Sequence, residues 1–203
     1  DKGRSYYFKV EPVLWNVIYT DSKSEKLVYQ GLENRFIENS SKRLIVACFA
    51  SSNYRIQQVL WLAKKYKRKV VLAGSSMKGI VEVASNCGEL DIPKGVLVDS
   101  AANLKPNQTV ILATGSQGEP LSALKKMSKG EFPKFTLSSD DVVILSSSPI
   151  PGNEKDVYDV INDIFRFGAN VIYDVMDDIH VSGHAYEDEL KYMLSIVKPE
   201  HFL

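Results

Sequence analysis

Short apolar runs alternate with amphipathic stretches along most of this 203-residue chain, and no other feature constrains its fold as strongly. Segments rich in β-branched residues suit strands buried on both faces, and they read RLIVACFA, KVVLAG, QTVILATG, DDVVILSSS and ANVIYD. The stretches between them place apolar residues at helical spacing, as Ile56, Val59 and Leu60 illustrate. Strands separated by helices of about 10–15 residues pair in parallel through right-handed crossovers. The sequence therefore predicts an α/β domain with an open, mostly parallel sheet and helices on both faces.

The first 22 residues have a different pattern. SYYFKV and LWNVIYT are β-rich segments on either side of Glu11-Pro12, with no helical stretch between them. A helix is predicted from the segment SKSEKLVYQGLENRFIENS that comes next. We therefore divide the chain into a short β-rich segment, residues 1–22, and an α/β domain, residues 23–203.

Composition excludes few functions. The 25 basic and 25 acidic residues balance, so nucleic-acid binding would need a local patch of charge rather than a global field. No apolar run approaches the length of a membrane span and no signal-peptide pattern is present, so we expect a cytoplasmic protein without membrane insertion. Cys48 and Cys87 are not in a C-x-x-C spacing, which predicts two buried free thiols.

Small polar loops follow three of the predicted strands. They read ATGSQGEP at 113–120, SSSPIPGNE at 146–154 and HVSGHA at 180–185. Loops at the carboxyl ends of parallel strands meet at one edge of the sheet, where ligands of such folds bind. Backbone N–H groups and hydroxyls at helix starts suit a phosphate. The first loop is neither a Walker loop nor a G-x-G-x-x-G fingerprint, and one such loop alone is more often structural. Three at one edge favour a phosphate site.

The histidines are too few for a complete metal site. Zinc sites use three or four ligands, whereas the chain has only His180, His184 and His201. His184 stands at the start of a predicted helix beside Ser182 and Gly183, a position that suits binding or protonating an anionic oxygen. For His180, a structural hydrogen bond at the end of a strand is an equally good interpretation.

Three long stretches of the sequence read ATGSQGEPLSALKKMSKGE, SSSPIPGNEKDVYDVINDIFRFGANVIYD, and HVSGHA followed by ELKYMLSIVKPEHF. They closely resemble ribonuclease J, a β-CASP family within the metallo-β-lactamase fold. FASSNYRIQQV resembles the segment that opens a β-CASP domain. The likeness covers roughly residues 21–203.

The resemblance implies an RNA-degrading and RNA-processing nuclease that acts both endonucleolytically and 5′→3′ exonucleolytically. Enzymes of this family use two metal ions, usually zinc, held by a metallo-β-lactamase domain. The β-CASP domain is inserted into that domain and closes over the RNA. The resemblance also implies that the full-length protein is a homo-oligomer.

The resemblance also implies roles for residues in the three loops. It makes Ser182 and His184, with Gly183 between them, phosphate contacts close to the metals, and it places His180 beside them. The candidate catalytic residues are thus His184, Ser182 and His180. Further phosphate-loop positions, including those for the 5′ monophosphate of RNA, are Gly115, Ser116, Gln117, Ser147 and Ser148. Asp21 resembles a metal-bridging aspartate.

The sequence also departs from the family. The H-x-H-x-D-H metal motif is absent, the chain stops before the segment that ends in a further metal-binding histidine, and the C-terminal dimerisation domain is missing. We therefore expect a β-CASP domain with a remnant of its host. We also expect no significant nuclease activity from this chain alone, and we take its missing metallo-β-lactamase domain to be a partner.

Two other functions fit the same loops. One is a non-catalytic α/β module that binds phosphates of RNA or nucleotides, and the other is a domain for a small phosphorylated metabolite. An upstream H-x-H-x-D-H motif in the complete gene would favour the nuclease. The basic run of residues 64–69 is more simply a solvated helix end than an RNA contact. Arg55 is the better candidate for contact with RNA.

Overall fold

The computed structural model describes residues 23–133, 135–173, 179–180 and 187–201. The predicted β-rich segment of residues 1–22 lies outside this described part, so its two predicted strands stay predictions. Within the described part, helices are too short or too polar to cross a bilayer.

Strands and helices alternate as the sequence pattern predicts. The strands are β1 (Arg43–Ala47), β2 (Lys69–Ala73), β3 (Thr109–Ala113), β4 (Asp141–Leu145) and β5 (Asn170–Tyr173). The helices are α1 (Lys23–Glu38), α2 (Asn53–Lys65), α3 (Ser75–Asn86), α4 (Ala123–Ser128), α5 (Glu154–Arg166) and α6 (Glu187–Val197), with one 3₁₀ turn at Pro106–Gln108.

The five strands form one parallel sheet in the order β2-β3-β1-β4-β5. β1 lies at its centre and pairs with β3 on one side and β4 on the other, so Ala47 is opposite both Ala113 and Leu145. Every residue of β3 and β4 is buried. Parallel strands buried on both faces need apolar runs rather than alternation, which is the pattern that the sequence has.

Helices cover both faces of the sheet, as predicted. Alternate residues of each strand point to opposite faces, so Leu44 and Ile45 belong to different cores. One core is formed with α1, α2 and α3, and its helix residues include Leu32, Ile56 and Met77. The other core is formed with α4 and α5, through residues that include Leu124, Met127, Val160 and Ile161.

Several element ends differ from the sequence prediction. Asn53 is a good N-cap by residue type, but it is the first residue of α2, and the preceding Ser52 makes no side-chain capping bond. α3 begins at Ser75 itself, because Gly74 occupies the capping position with φ +105°. α4 is shorter than its amphipathic pattern. Ser122 caps it by accepting a hydrogen bond from the Lys125 N–H at 3.2 Å.

The free edge of β2 is covered by a segment that the sequence pattern does not reveal. Val70 donates its N–H to the Val96 carbonyl at 2.9 Å and accepts a hydrogen bond from the Val98 N–H at 3.0 Å. These two hydrogen bonds form an isolated β-bridge between β2 and the long connection from α3 to β3. They satisfy backbone groups that an edge strand would otherwise expose.

The basic run of residues 64–69 is not simply a solvated helix end, and that interpretation is wrong for Arg68. Its side chain is 3% exposed. The guanidinium donates to the carbonyls of Lys42 at 2.8 Å, Asn39 at 3.0 Å and Ser40 at 3.1 Å, with a longer bond to Thr109 at 3.4 Å. A guanidinium offers five N–H donors, so one side chain ties together the turn after α1 and the start of β3.

Replacing Arg68 with methionine tests this role. Arg68→Met leaves buried carbonyl oxygens without donors, and we expect it to lower the free energy of unfolding by about 3 kcal/mol. Urea unfolding followed by circular dichroism measures the change. Lys64→Met is the control on the exposed side of the same run, and it should change the stability by less than about 0.5 kcal/mol. Equal unfolding midpoints for the two variants would contradict the assignment.

Candidate functional site

Two polar loops lie at the carboxyl edge of the sheet, on either side of the end of β1. The β3 loop comprises residues 114–122 and the β4 loop comprises residues 146–153. β1 pairs with both parent strands, so the loops start two strand spacings apart, about 10 Å. The sequence prediction that loops 113–120 and 146–154 share one edge is confirmed by this strand order.

Glycines allow the β3 loop to pack tightly. Gly115 has φ +110°, and a Cβ atom there would overlap the side chain of Ser122. Gly118 has φ +76°, and its Cβ atom would lie 2.6 Å from the backbone carbonyl of Asp156 in the first turn of α5. Only glycine adopts such backbone angles without strain and leaves room for both contacts. The β3 loop is therefore held against the starts of α4 and α5.

Gln117 joins the β3 loop to the β4 loop through both ends of its side-chain amide. Its Nε2 donates to the Ser148 carbonyl at 2.9 Å and to Ser147 Oγ at 3.3 Å, and its Oε1 accepts from the Ile150 N–H at 2.7 Å. Gln117 is only 4% exposed. We call these three hydrogen bonds the Gln117 clasp.

Ser116 differs from its neighbours because its hydroxyl is buried without a partner. The residue is 2% exposed, and Ser116 Oγ makes no hydrogen bond within the described part of the chain. Buried hydroxyls are nearly always hydrogen-bonded, because an unpaired one costs about 1–3 kcal/mol. An orphan hydroxyl at the ligand-binding edge of an α/β sheet suits a group that receives its partner from a ligand.

The β4 loop anchors the start of the third predicted loop. Ser146 Oγ donates to the Ile179 carbonyl at 2.5 Å, and both residues are buried. His180, the next residue, is half-buried. The structure thus brings the first residue of the HVSGHA motif to the carboxyl edge of the sheet. Ser146 was not singled out from the sequence, although its position directly after a buried strand could have indicated a site residue.

Carboxylates already occupy some backbone donors near these loops. Glu119 Oε2 accepts from the Gln117 N–H at 3.1 Å, and Glu154 Oε2 accepts from the Gly152 N–H at 2.7 Å. Glu154 and Asp156 also lie in the first turn of α5, where negative charge offsets the helix dipole. These carboxylates disfavour an anion at the start of α5, which leaves the hydroxyls of Ser116 and Ser147 as the better donors.

Cys48 follows β1 at the same edge but is not suited to nucleophilic chemistry. Complete burial raises the pKa of its thiol to about 12, and the nearby positive charge of Arg55 offsets only part of this effect. A thiol held neutral is a poor nucleophile. Arg55, our candidate for RNA contact, is itself buried. The prediction of two buried thiols is half wrong, because Cys87 is exposed.

Several predicted site residues fall outside the described residues. They are Asp21, Ser182, Gly183 and His184, and their roles stay predictions. Within the described ranges, no three His, Cys, Asp or Glu side chains lie close enough together to hold a metal ion. These residues alone therefore do not fit a two-metal centre.

The contact of Gly118 with α5 can be tested against a second glycine of the same conformation. Gly88 also has φ +76°, but a Cβ atom there meets no atom within 4 Å. We expect Gly88→Ala to cost about 1 kcal/mol of unfolding free energy from backbone strain alone. Gly118→Ala should cost about 2 kcal/mol more, because its Cβ atom would collide with rigid backbone. Chemical denaturation of the two variants measures the difference, and equal costs would show that the β3 loop does not rest on α5.

Comparison with known proteins agrees with this architecture. Residues 41–164 match the family model described as "Ribonuclease J, beta-CASP domain". The chain is 42% identical over 172 residues to ribonuclease J of Mycobacterium tuberculosis strain H37Rv, with 84% of this chain and 31% of the relative covered. It is 41% identical over 182 residues to ribonuclease J of Synechocystis (strain PCC 6803), covering 89% and 28% respectively. Ribonuclease J 1 of Streptococcus pyogenes serotype M3 is 40% identical over 188 residues, with coverage of 92% and 33%.

The chain spans about a third of the length of these curated relatives. The family match includes β1 to β4 and nearly all of α5, and therefore both loops of the site. We conclude that this chain belongs to the ribonuclease J β-CASP domain family.

Proposed function

We propose that this chain is the RNA-binding β-CASP part of a metal-dependent ribonuclease, and that its edge loops bind RNA phosphates, including the 5′ monophosphate. Membership of the ribonuclease J family supports RNA as the substrate. The observation that carries the phosphate assignment is the buried hydroxyl of Ser116, which has no partner within the described part of the chain.

Hydroxyl donors at this edge match the chemistry of a phosphate. Phosphate oxygens accept hydrogen bonds, and Ser116 has a donor that no described group uses. Ser147 accepts from Gln117, which leaves its own hydroxyl proton for donation to a ligand. Gly115 brings the backbone of the β3 loop close to the same edge without a side chain.

The HVSGHA motif extends this phosphate site in our proposal. The hydrogen bond from Ser146 to Ile179 supports it, because it holds the residue before the motif at the carboxyl edge. Ser182, Gly183 and His184 would then contact the same or the adjacent phosphate, with His180 beside them. Of these residues, His184 is the candidate for donating a proton to an RNA oxygen.

Hydrolysis itself needs groups beyond the described residues. Two metal ions, zinc by resemblance, would generate hydroxide and neutralise charge on the phosphate. A metallo-β-lactamase domain of the same protein would hold them, with Asp21 as one ligand from this chain. We therefore propose that the chain alone lacks significant nuclease activity. Metal-dependent RNA cleavage that survived purification and was lost in His184→Ala would contradict this.

The complete protein would combine 5′→3′ exonucleolytic and endonucleolytic cleavage, act in the cytoplasm and assemble as a homo-oligomer. The alternative is a module that binds RNA or nucleotide phosphates without cleaving them. The absence of a three-residue metal cluster among the described residues is compatible with both. The two proposals share the phosphate site and differ in whether a metal domain adjoins it.

The Ser116→Ala variant tests whether the hydroxyl of Ser116 binds a ligand or stabilises the fold. The substitution removes an unsatisfied buried group, so we expect the free energy of unfolding to stay the same or rise slightly. Affinity for a short RNA with a 5′ monophosphate, measured with a chelator present, should fall about tenfold, as expected for one lost hydrogen bond to a charged group. Affinity for the same RNA with a 5′ hydroxyl should not change.

Ser128→Ala is the matched control for this experiment. Ser128 is equally buried, but its hydroxyl donates to the Lys125 carbonyl at 2.9 Å within α4. Its replacement should lower the stability by about 1 kcal/mol and leave both RNA affinities unchanged. Unchanged monophosphate affinity in Ser116→Ala would contradict the proposed role of Ser116. No preference for the monophosphate in the unsubstituted chain would contradict the phosphate site itself.

A further inference from the structure

We infer that Gln117 is a positioning residue that fixes the β3 and β4 loops relative to each other, and that it donates no hydrogen bond to the phosphate. This inference deepens the proposed function and depends on it for the identity of the ligand. It concerns a division of roles between two adjacent residues, Ser116 and Gln117, which the sequence motif presents as equivalent.

The donors of Gln117 are all engaged inside the protein. The two protons on Nε2 account for the bonds to Ser147 Oγ and the Ser148 carbonyl, and Oε1 is taken by the Ile150 N–H. The backbone N–H of Gln117 donates to Glu119 Oε2. A primary amide has two donors, so binding a phosphate oxygen would require breaking one of these two bonds. Ser116, one residue earlier, has the unused donor.

The Gln117 clasp spans the distance that the sheet imposes between the two loops. Their parent strands are separated by β1, so no strand pairing extends from one loop to the other. Beyond the end of β1, the hydrogen bonds of Gln117 connect the two loops instead. Its bond to Ser147 Oγ also selects a rotamer of the Ser147 hydroxyl, and its bonds to Ser148 and Ile150 hold the backbone on either side. In the proposed site the hydroxyls of Ser116 and Ser147 bind one phosphate, so holding the two loops together provides the pre-organisation that tight binding needs.

Gln117→Met tests the inference, because methionine fills a similar volume without the amide. We expect the preference for 5′-monophosphate RNA over 5′-hydroxyl RNA to fall about tenfold, because a displaced β4 loop moves the Ser147 hydroxyl away from the phosphate and costs one hydrogen bond to a charged group. Amide hydrogen exchange should become faster in both residues 114–118 and residues 146–152. In the double variant with Ser116→Ala the two losses should be less than additive, because Gln117 acts on the same bound phosphate as Ser116.

Gln57→Met is the matched control. Gln57 clasps a loop with the same chemistry, since its Nε2 donates to the Asp91 carbonyl and its Oε1 accepts from the Asp91 N–H, both at 2.7 Å. These two hydrogen bonds join α2 to the connection after α3, outside the β3 and β4 loops. Gln57→Met should leave the monophosphate preference unchanged.

Three outcomes would overturn the inference. One is a full preference for the monophosphate in Gln117→Met, and another is an equal loss in Gln57→Met. The third is a loss of preference without faster exchange in residues 146–152, which would make Gln117 a direct ligand. If the unsubstituted chain itself showed no preference, the phosphate proposal would fail. Exchange in the two loops would still report whether the clasp holds them.

Discussion

Parallel pairing of β1 with β3 on one side and β4 on the other is the constraint on which the rest of the site depends. Parallel strands end at the same edge, so this pairing alone gathers two loops that are about 30 residues apart in sequence. It also keeps them apart, because β1 occupies the space between their parent strands. In open α/β sheets, ligands bind in the crevice outside the carboxyl ends of the strands, at the point where the strand order reverses. In this sheet β2 and β3 lie on one side of β1, and β4 and β5 lie on the other.

The contacts within the candidate site fill the space between the β3 loop and the β4 loop, beyond the end of β1. Gly115 and Gly118 adopt positive φ angles and let the β3 loop rest on its neighbours. The Gln117 clasp reaches across the end of β1 to the β4 loop. Apart from these fixed contacts, the hydroxyl of Ser116 is buried without a described partner. Hydrogen bonds and close packing thus hold the loops against the protein, and one described donor is left unpaired, which is the arrangement expected of a pre-organised binding site.

The fold could be predicted from the sequence because local and global signals agree. The runs VILA of β3 and VVIL of β4 are apolar throughout, which suits strands covered on both faces, and their spacing leaves room for crossover helices. Element ends were less predictable. Asn53 and Ser75 are good capping residues by type, but the backbone at Ser52 and Gly74 placed the helix starts one residue earlier.

The sequence could place the two loops of the candidate site at one sheet edge, but it could not give the contacts within them. Glycine, serine and glutamine in one loop all suggest phosphate binding by residue type, whereas the contacts distinguish them. The partners of Gln117 lie about 30 residues away and depend on strand order, which no local pattern contains. Arg68 was misread for the same reason, because the carbonyls that it binds come from the turn before β1 and from β3.

The most direct test of a phosphate site at this edge is a map of amide chemical shifts in the ¹⁵N-labelled chain. The ligand is a short RNA with a 5′ monophosphate, added in the presence of a chelator, and the same RNA with a 5′ hydroxyl is the reference. We expect shift changes concentrated at residues 115–118 and 146–150 that are larger for the monophosphate. Changes confined to the opposite edge of the sheet, around Arg68, or equal changes with both RNAs, would contradict it.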